Sequence, residues 1–420
     1  MPNKRWVLAV AGLLLGHSAA GLLAASGTAS RAGAPYAIDV WDAEDGLPQG
    51  SVISMTQTRD GYLWLGTLNG LVRFDGIRFT VFDESNTPGL KSSRIVSLFE
   101  DSQGHLWIGT ETDGVALVKE GRVTSLDLGR GTREGRLISV CEDASGAVWL
   151  YTADGQLCRR RKGKVDVWRV GADRFSNCRA IVAEPSGPLW VGMDWRRFAI
   201  GSTAALGSRE LAVEHDLPVG KLDFLLSSQR GGYWCLADGR VQKWRTNRLE
   251  HDSGLYPWKR TPVSAACEDQ QGNLVVGTLG AGLFWFDAEG KATCLSTNEG
   301  LSHNYVLSLH VDREGTLWVG TDGGGLNRVR RQVFDVLEAS RGLAVRSVCE
   351  DGQGGLWMGF NAIGFDSVGA GFWKDGVLQQ FGPGQGLMNS SVWAVFVDRS
   401  QRVWAGTRGG LLEGLFQWLN

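Results

Sequence analysis

The sequence predicts an all-β protein, a β-propeller of four-stranded blades with about seven blades in a first ring and then an incomplete second propeller. Composition is the first observation behind this prediction. The 420 residues include 59 Gly and 18 Trp but only 10 Pro, which is typical of many short strands joined by tight turns. The second observation is a pattern that recurs nine times at intervals of 39 to 47 residues, the period of a propeller blade.

Each copy of the pattern is centred on an anchor residue, almost always tryptophan. QGHLWIGTETDGVALV and EGTLWVGTDGGGLNRV both show a glycine, an aromatic residue three positions later, and then Gly-Thr. The anchors are Trp64, Trp107, Trp149, Trp190, Trp234, Val275, Trp318, Trp357 and Trp404. We expect these indoles to lie between neighbouring blades as structural residues rather than as sugar-stacking residues.

Four strands are predicted in each copy. An apolar inner strand ends seven residues before the anchor and is followed by an Asp-x-x-Gly turn, whose residue types suit a type I turn. Leu-Trp-Ile-Gly-Thr forms the second strand and Gly-Leu-x-Arg-Phe the third, and a short outer strand such as Arg78 to Phe82 is the fourth. Ten positions before the anchor a small residue occurs in eight of nine copies. We attribute it to crowding of the inner strands around the axis.

The copies divide the chain into a first ring over residues 36–337 and two blades of a second, truncated propeller over residues 338–420, with a single nine-bladed ring as the alternative. Tyr36 to Trp41 has the pattern of an outer strand and is expected to close the first ring by pairing with its last blade. Arg331 to Arg341 is the predicted crossover. The fourth and fifth copies are degenerate, so loops should depart from the pattern there. Because the last blade stops within its third strand, we expect the chain to be a fragment of a longer protein.

The N-terminus predicts export. Lys4 and Arg5 precede an apolar run from Trp6 to Leu15, and small residues follow, so residues 1–30 read as a signal peptide, with an uncleaved membrane anchor as the alternative. The chain is therefore expected to be exported. The seven cysteines are odd in number and irregularly spaced, which predicts small buried residues rather than a disulfide framework.

The repeats resemble a known family. WDAEDGLPQGSVISMTQTRDGYLWLGT and SLHVDREGTLWVGTDGGGLNRV are similar to two-component regulator propeller repeats, and the resemblance covers residues 36 to 420. It implies seven-bladed propellers in the periplasm that sense a ligand, often an oligosaccharide, and signal through a membrane helix to a kinase or other output domain. The chain has nine repeats instead of about fourteen and none of those output segments, so the resemblance implies a sensor input region.

No catalytic constellation stands out from the repeats. The net charge of −2 gives no electrostatic case for nucleic acid or an anionic membrane surface. The six histidines form no metal-binding motif, and acidic pairs such as Glu100-Asp101 recur at turns, where they read as scaffold. We therefore predict no enzyme activity, no catalytic residues, no metal and no cofactor.

A binding site is expected on loops at one face of the ring, around the central channel. One loop set lies thirteen residues before the anchor, and the other follows Gly-Thr. The candidate ligand-binding residues are Arg94, Arg136, Asn177, Lys221 and Tyr305 in the first set and Asn69, Asp194, Trp195 and Asp322 in the second. Such side chains can hydrogen-bond a sugar or clasp a carboxylate. An ordinary solvated channel mouth is the alternative.

The predicted function is a periplasmic ligand-sensing region of a two-component-type signalling protein that binds a small ligand such as an oligosaccharide. The alternatives are an exported scaffold for protein interaction and an enzyme resembling streptogramin lyase. The expected partner is a small-molecule or glycan ligand, and a homodimer is left open. Contact with a membrane is expected only through an uncleaved N-terminal anchor or through a missing C-terminal region.

Overall fold

The computed structural model describes residues 36–126, 136–170, 178–185, 187–201, 211–331, 337–361, 369–387, 391–407 and 410–413. The predicted signal peptide over residues 1–30 lies outside this part. Within it, the chain is antiparallel β structure apart from two short 3-10 turns, Glu338–Ser340 and Pro383–Gln385, so the predicted all-β class is confirmed. None of the described helices combines the length and apolar character needed to cross a membrane.

The strands form nine antiparallel sheets in the described part of the chain. The first strand, β1 (Tyr36–Trp41), joins the seventh sheet. Sheet 1 contains β2 (Ser54–Gln57), β3 (Leu63–Thr67), β4 (Gly70–Phe74) and β5 (Phe79–Phe82). Sheet 2 contains β6 (Ile95–Glu100), β7 (Leu106–Thr110), β8 (Val115–Lys119) and β9 (Arg122–Leu126). Sheet 3 contains β10 (Leu137–Glu142), β11 (Val148–Thr152), β12 (Gln156–Arg161) and β13 (Lys164–Arg169).

The next four sheets continue the pattern. Sheet 4 contains β14 (Cys178–Ala183), β15 (Leu189–Met193), β16 (Arg196–Ile200) and β17 (Val213–Pro218). Sheet 5 contains β18 (Leu222–Ser227), β19 (Tyr233–Ala237), β20 (Arg240–Arg245) and β21 (Arg248–Leu255). Sheet 6 contains β22 (Val263–Glu268), β23 (Leu274–Thr278), β24 (Leu283–Phe286) and β25 (Ala292–Leu295). Sheet 7 contains β26 (Val306–Val311), β27 (Leu317–Thr321) and β28 (Leu326–Arg331), followed by β1.

Sheets 1 to 7 close on themselves. The first strand of each sheet packs against the first strand of the next, and β26 of sheet 7 packs against β2 of sheet 1. Strand β1 pairs antiparallel with β28, with Tyr36 opposite Arg331 and Trp41 opposite Leu326. The N-terminal strand therefore completes the last sheet of this unit, as the sequence predicted. Strands from the two ends of this unit thus lie side by side in one sheet.

A second compact unit follows Arg331. Its sheet 8 contains β29 (Ala344–Glu350), β30 (Leu356–Asn361), β31 (Ala370–Lys374) and β32 (Val377–Phe381). Sheet 9 contains β33 (Val392–Val397), β34 (Val403–Thr407) and β35 (Gly410–Glu413). The predicted crossover from Arg331 to Arg341 is described only in part and includes the turn Glu338–Ser340.

In several sheets the turn aspartate holds both its turn and the anchor indole. In sheet 2, Oδ1 of Asp101 accepts the backbone N–H groups of Gln103 and His105, while Oδ2 accepts the indole N–H of Trp107 at 2.9 Å. Asp143 with Trp149 and Asp312 with Trp318 repeat the indole bond at 2.7 Å. These tryptophans are buried. The acid and the indole are therefore one structural unit, six residues apart.

Other sheets make this contact with different residues, such as Thr58 for Trp64 in sheet 1 and Glu184 for Trp190 in sheet 4. In sheet 6, Val275 stands at the anchor position, and Trp285, directly opposite it on β24, donates to Asp269 instead at 2.9 Å. In sheet 5 a serine replaces the turn aspartate, and the indole of Trp234 donates to Glu268 of the following sheet at 2.9 Å. The hydrogen bond to the indole is thus retained although its residues change.

Where a glutamate precedes the turn aspartate, as in sheets 2, 3 and 6, it links neighbouring sheets. Glu100 accepts the backbone N–H of Arg59 in sheet 1, Glu142 accepts that of Ser102, and Glu268 accepts that of Gln229. Gln57 accepts the N–H of Arg313 across the closure of the ring. The interpretation of the recurrent acidic pairs as scaffold is confirmed. The glutamate accepts a backbone N–H of the preceding sheet, and the aspartate accepts hydrogen bonds from the turn and the indole of its own sheet.

The small residue before the anchor has a more specific role than crowding at the axis. Ser308 lies directly opposite Gly320 in sheet 7, and a Cβ on Gly320 would lie 2.5 Å from the carbonyl oxygen of Val52 in sheet 1. The same pairing joins Ser97 to Gly109, where Leu137 of the next sheet fills the space. The small residue and the glycine together make room for the first strand of the following sheet.

All seven cysteines are free thiols. Cys158, Cys178 and Cys235 are buried, as expected, and burial raises the pKa of Cys158 to about 12. Cys294 is exposed on the outer strand β25, so the prediction of burial is wrong for this residue, because an outer strand has a neighbour on one edge only.

Candidate functional site

Two loop sets meet at one face of the first unit. The residue four positions after the anchor donates its backbone N–H to the carbonyl of the residue thirteen positions before the anchor. This bond joins Glu111 to Arg94, Ala153 to Arg136, Asp238 to Lys221, Leu279 to Pro262 and Asp322 to Tyr305, at 2.8 to 3.0 Å. The two loop sets were predicted to share a face, and these hydrogen bonds join them there. Because this backbone hydrogen bond recurs in five sheets, it fixes the backbone position from which each loop side chain projects.

The two candidate arginines lie on this face with different partners. Arg94 forms an ion pair with Glu111, and both side chains are partly exposed. Arg136 is exposed to solvent. Asn177, the candidate in the fourth copy, lies outside the described residues. Two neighbouring loops of the face therefore present guanidinium groups, one neutralised by a carboxylate.

The loop of sheet 4 combines a buried carboxylate with an exposed indole. Asp194 is buried and accepts the Nε–H of Arg179 at 2.5 Å, and its carbonyl accepts the N–H of Leu222 in sheet 5 at 2.8 Å. The carboxylate of Asp194 is therefore held by Arg179 rather than freely exposed. Trp195 beside it is 57% exposed, which is unusual for a tryptophan and leaves a ring face open to solvent.

Lys221 of sheet 5 belongs to a small polar cluster. Its Nζ lies 3.1 Å from Asp223, and the hydroxyl of Tyr256 donates to the other carboxylate oxygen of Asp223 at 3.1 Å. Burial, and then the nearby Asp223, raise the pKa of Tyr256, so this hydroxyl stays protonated as a donor. Lys221 itself remains largely exposed.

Tyr305 and Asp322 complete the face in sheet 7. Tyr305 is 47% exposed, its ring lies against His303, and its N–H donates to Nδ1 of His303. Asp322 accepts the hydroxyl proton of Ser51 in sheet 1 at 2.7 Å, so this candidate joins the first and last loops. Asn69 is exposed in the loop of sheet 1.

Sequence reasoning missed Arg179 and Asp223. Both occupy the position eleven before the anchor on an inner strand, where the first three sheets have Ile53, Val96 and Ile138. A signal was available, because the fourth and fifth copies replace an aliphatic residue by a charge at that position. The structure shows the consequence: each charge orders a loop candidate, Asp194 and Lys221 respectively.

Taken together, the face offers two exposed aromatic rings, Trp195 and Tyr305, among side chains held by ion pairs. Aromatic faces bind apolar ring surfaces, and fixed polar groups orient hydroxyls or carboxylates. Two histidines contribute to the scaffold away from this face: Nε2 of His310 accepts the N–H of Gln57, and the ring of His105 contacts Asp101 at 3.0 Å. Among the described residues, no group of three or more His, Cys, Asp or Glu side chains is placed to hold a metal ion.

A separate cavity of about 470 Å³ lies between sheets 1 and 2. Its lining includes Trp64, Arg73, Phe82 and Glu100, and none of the candidate residues of the loop face belongs to it. The cavity is bordered by the turns that follow the inner strands of sheets 1 and 2, where Thr58, Asp60 and Gly104 line it. These turns lie at the opposite ends of the inner strands from the loop face. The loop face and this cavity are therefore two separate candidate binding surfaces.

The closed cycle of four-stranded sheets, with side chains presented on loops at one face, defines a β-propeller. Residues 46–69, 89–112 and 300–323 match the family model described as two component regulator propeller. Three segments of this chain therefore match two-component regulator propeller repeats, which confirms the resemblance seen in the sequence.

Solved structures share the fold. The extracellular domain of BT3049 from B. thetaiotaomicron, assigned to the hybrid two component systems, is 20% identical with a TM-score of 0.60 and matches 90% of this chain and 53% of its own. The corresponding domain of BT4673 is 17% identical with a TM-score of 0.55, matching 90% and 51%. This chain therefore spans about half the length of these two.

A propeller enzyme is also similar in fold. Virginiamycin B lyase from Staphylococcus aureus, solved with quinupristin, is 11% identical with a TM-score of 0.59, and 71% of this chain matches 100% of the lyase. Identities this low show the shared fold alone. Among curated proteins, none matches this chain.

Proposed function

We propose that the protein is the extracytoplasmic ligand-sensing region of a two-component-type signalling protein. The propeller repeats and the fold shared with extracellular domains of hybrid two component systems support this proposal. The predicted export to the periplasm accords with it. The ligand is a small molecule such as an oligosaccharide, and signalling proceeds through a change of conformation or assembly that binding stabilises.

The single observation that carries the ligand class is the pair of exposed rings, Trp195 and Tyr305, among fixed polar groups on one face. A sugar ring has an apolar face that stacks on an aromatic ring and hydroxyls that hydrogen-bond arginine, amide and carboxylate groups. Arg94 and Arg136 project from neighbouring loops of the same face and supply donors.

The protein acts by binding and not by catalysis. The acidic residues that recur at the turns of most copies are engaged by indoles and turn backbones, as in Asp101, Asp143 and Asp312. His310 and His105 are held by the scaffold. A general acid or base must reach its substrate, so these groups are unsuited to that role although a lyase shares the fold.

A thermal-shift screen of glycan fragments tests the proposal. A ligand at 100 times its dissociation constant stabilises the native state by about 2.7 kcal/mol, which raises Tm by several degrees in a protein of this size. Arg94→Ala with Arg136→Ala should abolish that shift while leaving the ligand-free Tm within about 2 °C, because exposed ion pairs contribute about 0–1 kcal/mol.

Arg122→Ala is the matched control. Arg122 is exposed on the outer strand β9, away from the loop face, so this variant should keep the full shift. A shift that survives in the double variant, or disappears equally in the control, would show that the loop face is not the binding site.

A further inference from the structure

In several sheets a cationic side chain lies over the anchor indole. The residue opposite the anchor on the third strand is Arg159 in sheet 3, Lys243 in sheet 5 and Arg328 in sheet 7. The guanidinium carbons of Arg159 and Arg328 lie 5.3 and 5.8 Å from the anchor ring centroids, and Nζ of Lys243 lies at 5.3 Å. These distances are those of cation–π contacts.

Sheet 5 shows the complete arrangement. Lys243 lies over Trp234 and also pairs with Glu268 of sheet 6, with Nζ 3.8 Å from Oε1. Both side chains of this ion pair are largely buried. The cation therefore lies between an aromatic ring of its own sheet and a carboxylate of the next sheet.

Sheet 1 has the ring and the carboxylate but places its cation elsewhere. Trp64 stands at the position of Trp234 and Glu100 at that of Glu268, and each glutamate accepts a backbone N–H of the preceding turn. Arg73 stands opposite Trp64. However, its guanidinium carbon lies over Tyr62 at 4.4 Å and near Phe82 at 5.9 Å, which leaves the indole of Trp64 partly exposed.

The result is an enlarged groove. Equivalent residues line grooves in both places: Gly104, Leu106 and Val118 between sheets 1 and 2 correspond to Gly272, Leu274 and Phe286 between sheets 5 and 6. The groove that contains Lys243 has a volume of about 200 Å³, whereas the groove at Trp64 has about 470 Å³. The latter is the size of a small-ligand site.

The charges of the larger groove favour a cation. Asp60, Glu100 and Glu120 line it together with Arg59 and Arg73, three carboxylates against two guanidinium groups, a formal sum of −1. The side chain of Glu100 is 12% exposed, and Nε of Arg59 lies 3.9 Å from its Oε2, beyond hydrogen-bond distance.

We propose that the groove between sheets 1 and 2 binds an organic cation, a guanidinium or ammonium group on an alkyl stem, over the indole of Trp64 and against Glu100. The cation takes the place that Lys243 occupies between sheets 5 and 6. Phe82, 5.5 Å from the Trp64 ring, packs against the stem. This site is separate from the loop face and does not depend on the function proposed for that face.

Isothermal titration of the full chain with n-butylguanidinium chloride tests the proposal, with neutral n-butylurea as the matched control compound. We expect one site for the cation and at least tenfold weaker binding of the urea. A capped Gly-Arg-Gly peptide distinguishes the source: tighter binding than the free cation indicates a protein segment, and weaker binding indicates a small molecule. Equal binding of the urea would overturn the proposal.

Three variants locate the site. Glu100→Gln keeps an acceptor for the N–H of Arg59 but removes the charge, so affinity should fall about tenfold. Glu268→Gln makes the same change where Lys243 already fills the groove and should leave the affinity unchanged. Lys243→Ala opens the second groove and should raise the stoichiometry from one to two.

Circular dichroism checks that each variant is folded. The proposal fails if Glu100→Gln binds as tightly as the parent, if Glu268→Gln weakens binding equally, or if folded Lys243→Ala still shows one site. Arg94→Ala with Arg136→Ala should bind the cation normally. Failure of glycan binding at the loop face is thereby distinguished from failure of this site.

Discussion

Replacing Gly320 with alanine tests the contact that closes the first unit. Gly320 lies two residues after the anchor Trp318, and a Cβ there would lie 2.3 Å from Oγ of Ser308 and 2.5 Å from the carbonyl oxygen of Val52 in sheet 1. The serine hydroxyl cannot simply turn away, because it donates to that same carbonyl at 2.7 Å. Added volume in a packed interior costs about 1–3 kcal/mol.

Gly406 provides a matched control at the same repeat position. A Cβ on Gly406 would meet its nearest atom, Cβ of Ala394, at 3.7 Å, which is ordinary van der Waals contact. Gly406→Ala should therefore be neutral or stabilise its unit by about 0.4–1 kcal/mol, because alanine reduces the entropy of the unfolded chain. The two sites differ in the small residue opposite the glycine, Ser308 or Ala394, and in whether a following sheet packs over the glycine in the described part of the chain.

Differential scanning calorimetry measures both variants. At about 2 °C for each kcal/mol in a unit of this size, Gly320→Ala should lower Tm by about 2–6 °C, whereas Gly406→Ala should not lower it. Unchanged melting of Gly320→Ala, or an equal loss in Gly406→Ala, would refute the explanation of the glycine and small-residue pairing.

Two further predictions concern the closure of the same unit. Burial lowers the pKa of His310 from 6.5 to about 4. Between these pH values the unfolded chain binds a proton that the folded chain does not, so stability falls, by up to about 3 kcal/mol, as pH drops from 6.5 to 4. His310→Gln should flatten this dependence in urea unfolding, and an unaltered pH profile would contradict the assignment. Trp41→Ala should cost about 3–5 kcal/mol, because Trp41 is buried against Phe74 and Trp318. Trp393→Ala, at a tryptophan 54% exposed, should cost less than about 0.5 kcal/mol in the same measurement, and equal losses would show that burial of β1 is not what holds the closure.

The features that could be predicted from sequence are those set by short segments. The turn from Asp101 to Gly104 and the strand Leu106–Thr110 depend on residues close in the chain, so reading the repeat located them. Pairing of β1 with β28 could also be predicted, because an outer-strand pattern without a blade has one free edge to join.

The candidate site was predictable only in outline. The two loop sets share a face because a repeated backbone bond joins them, and periodicity locates such a bond. Whether a side chain on that face is free or engaged depends on its neighbours. Asp194 is buried against Arg179, whereas the adjacent Trp195 is exposed, and the repeat pattern treats both as loop residues.

The sequence alone determined the all-β class, the four-strand unit and the position of each anchor, because one pattern of turn residues and alternating strands recurs along the chain. Tertiary structure decided which partner each repeated side chain takes. Lys243 lies over its indole, whereas Arg73, at the same repeat position, lies over Tyr62. The physical reason is that a long cationic side chain can reach several aromatic rings and carboxylates, and the packing of the neighbouring strands selects among them.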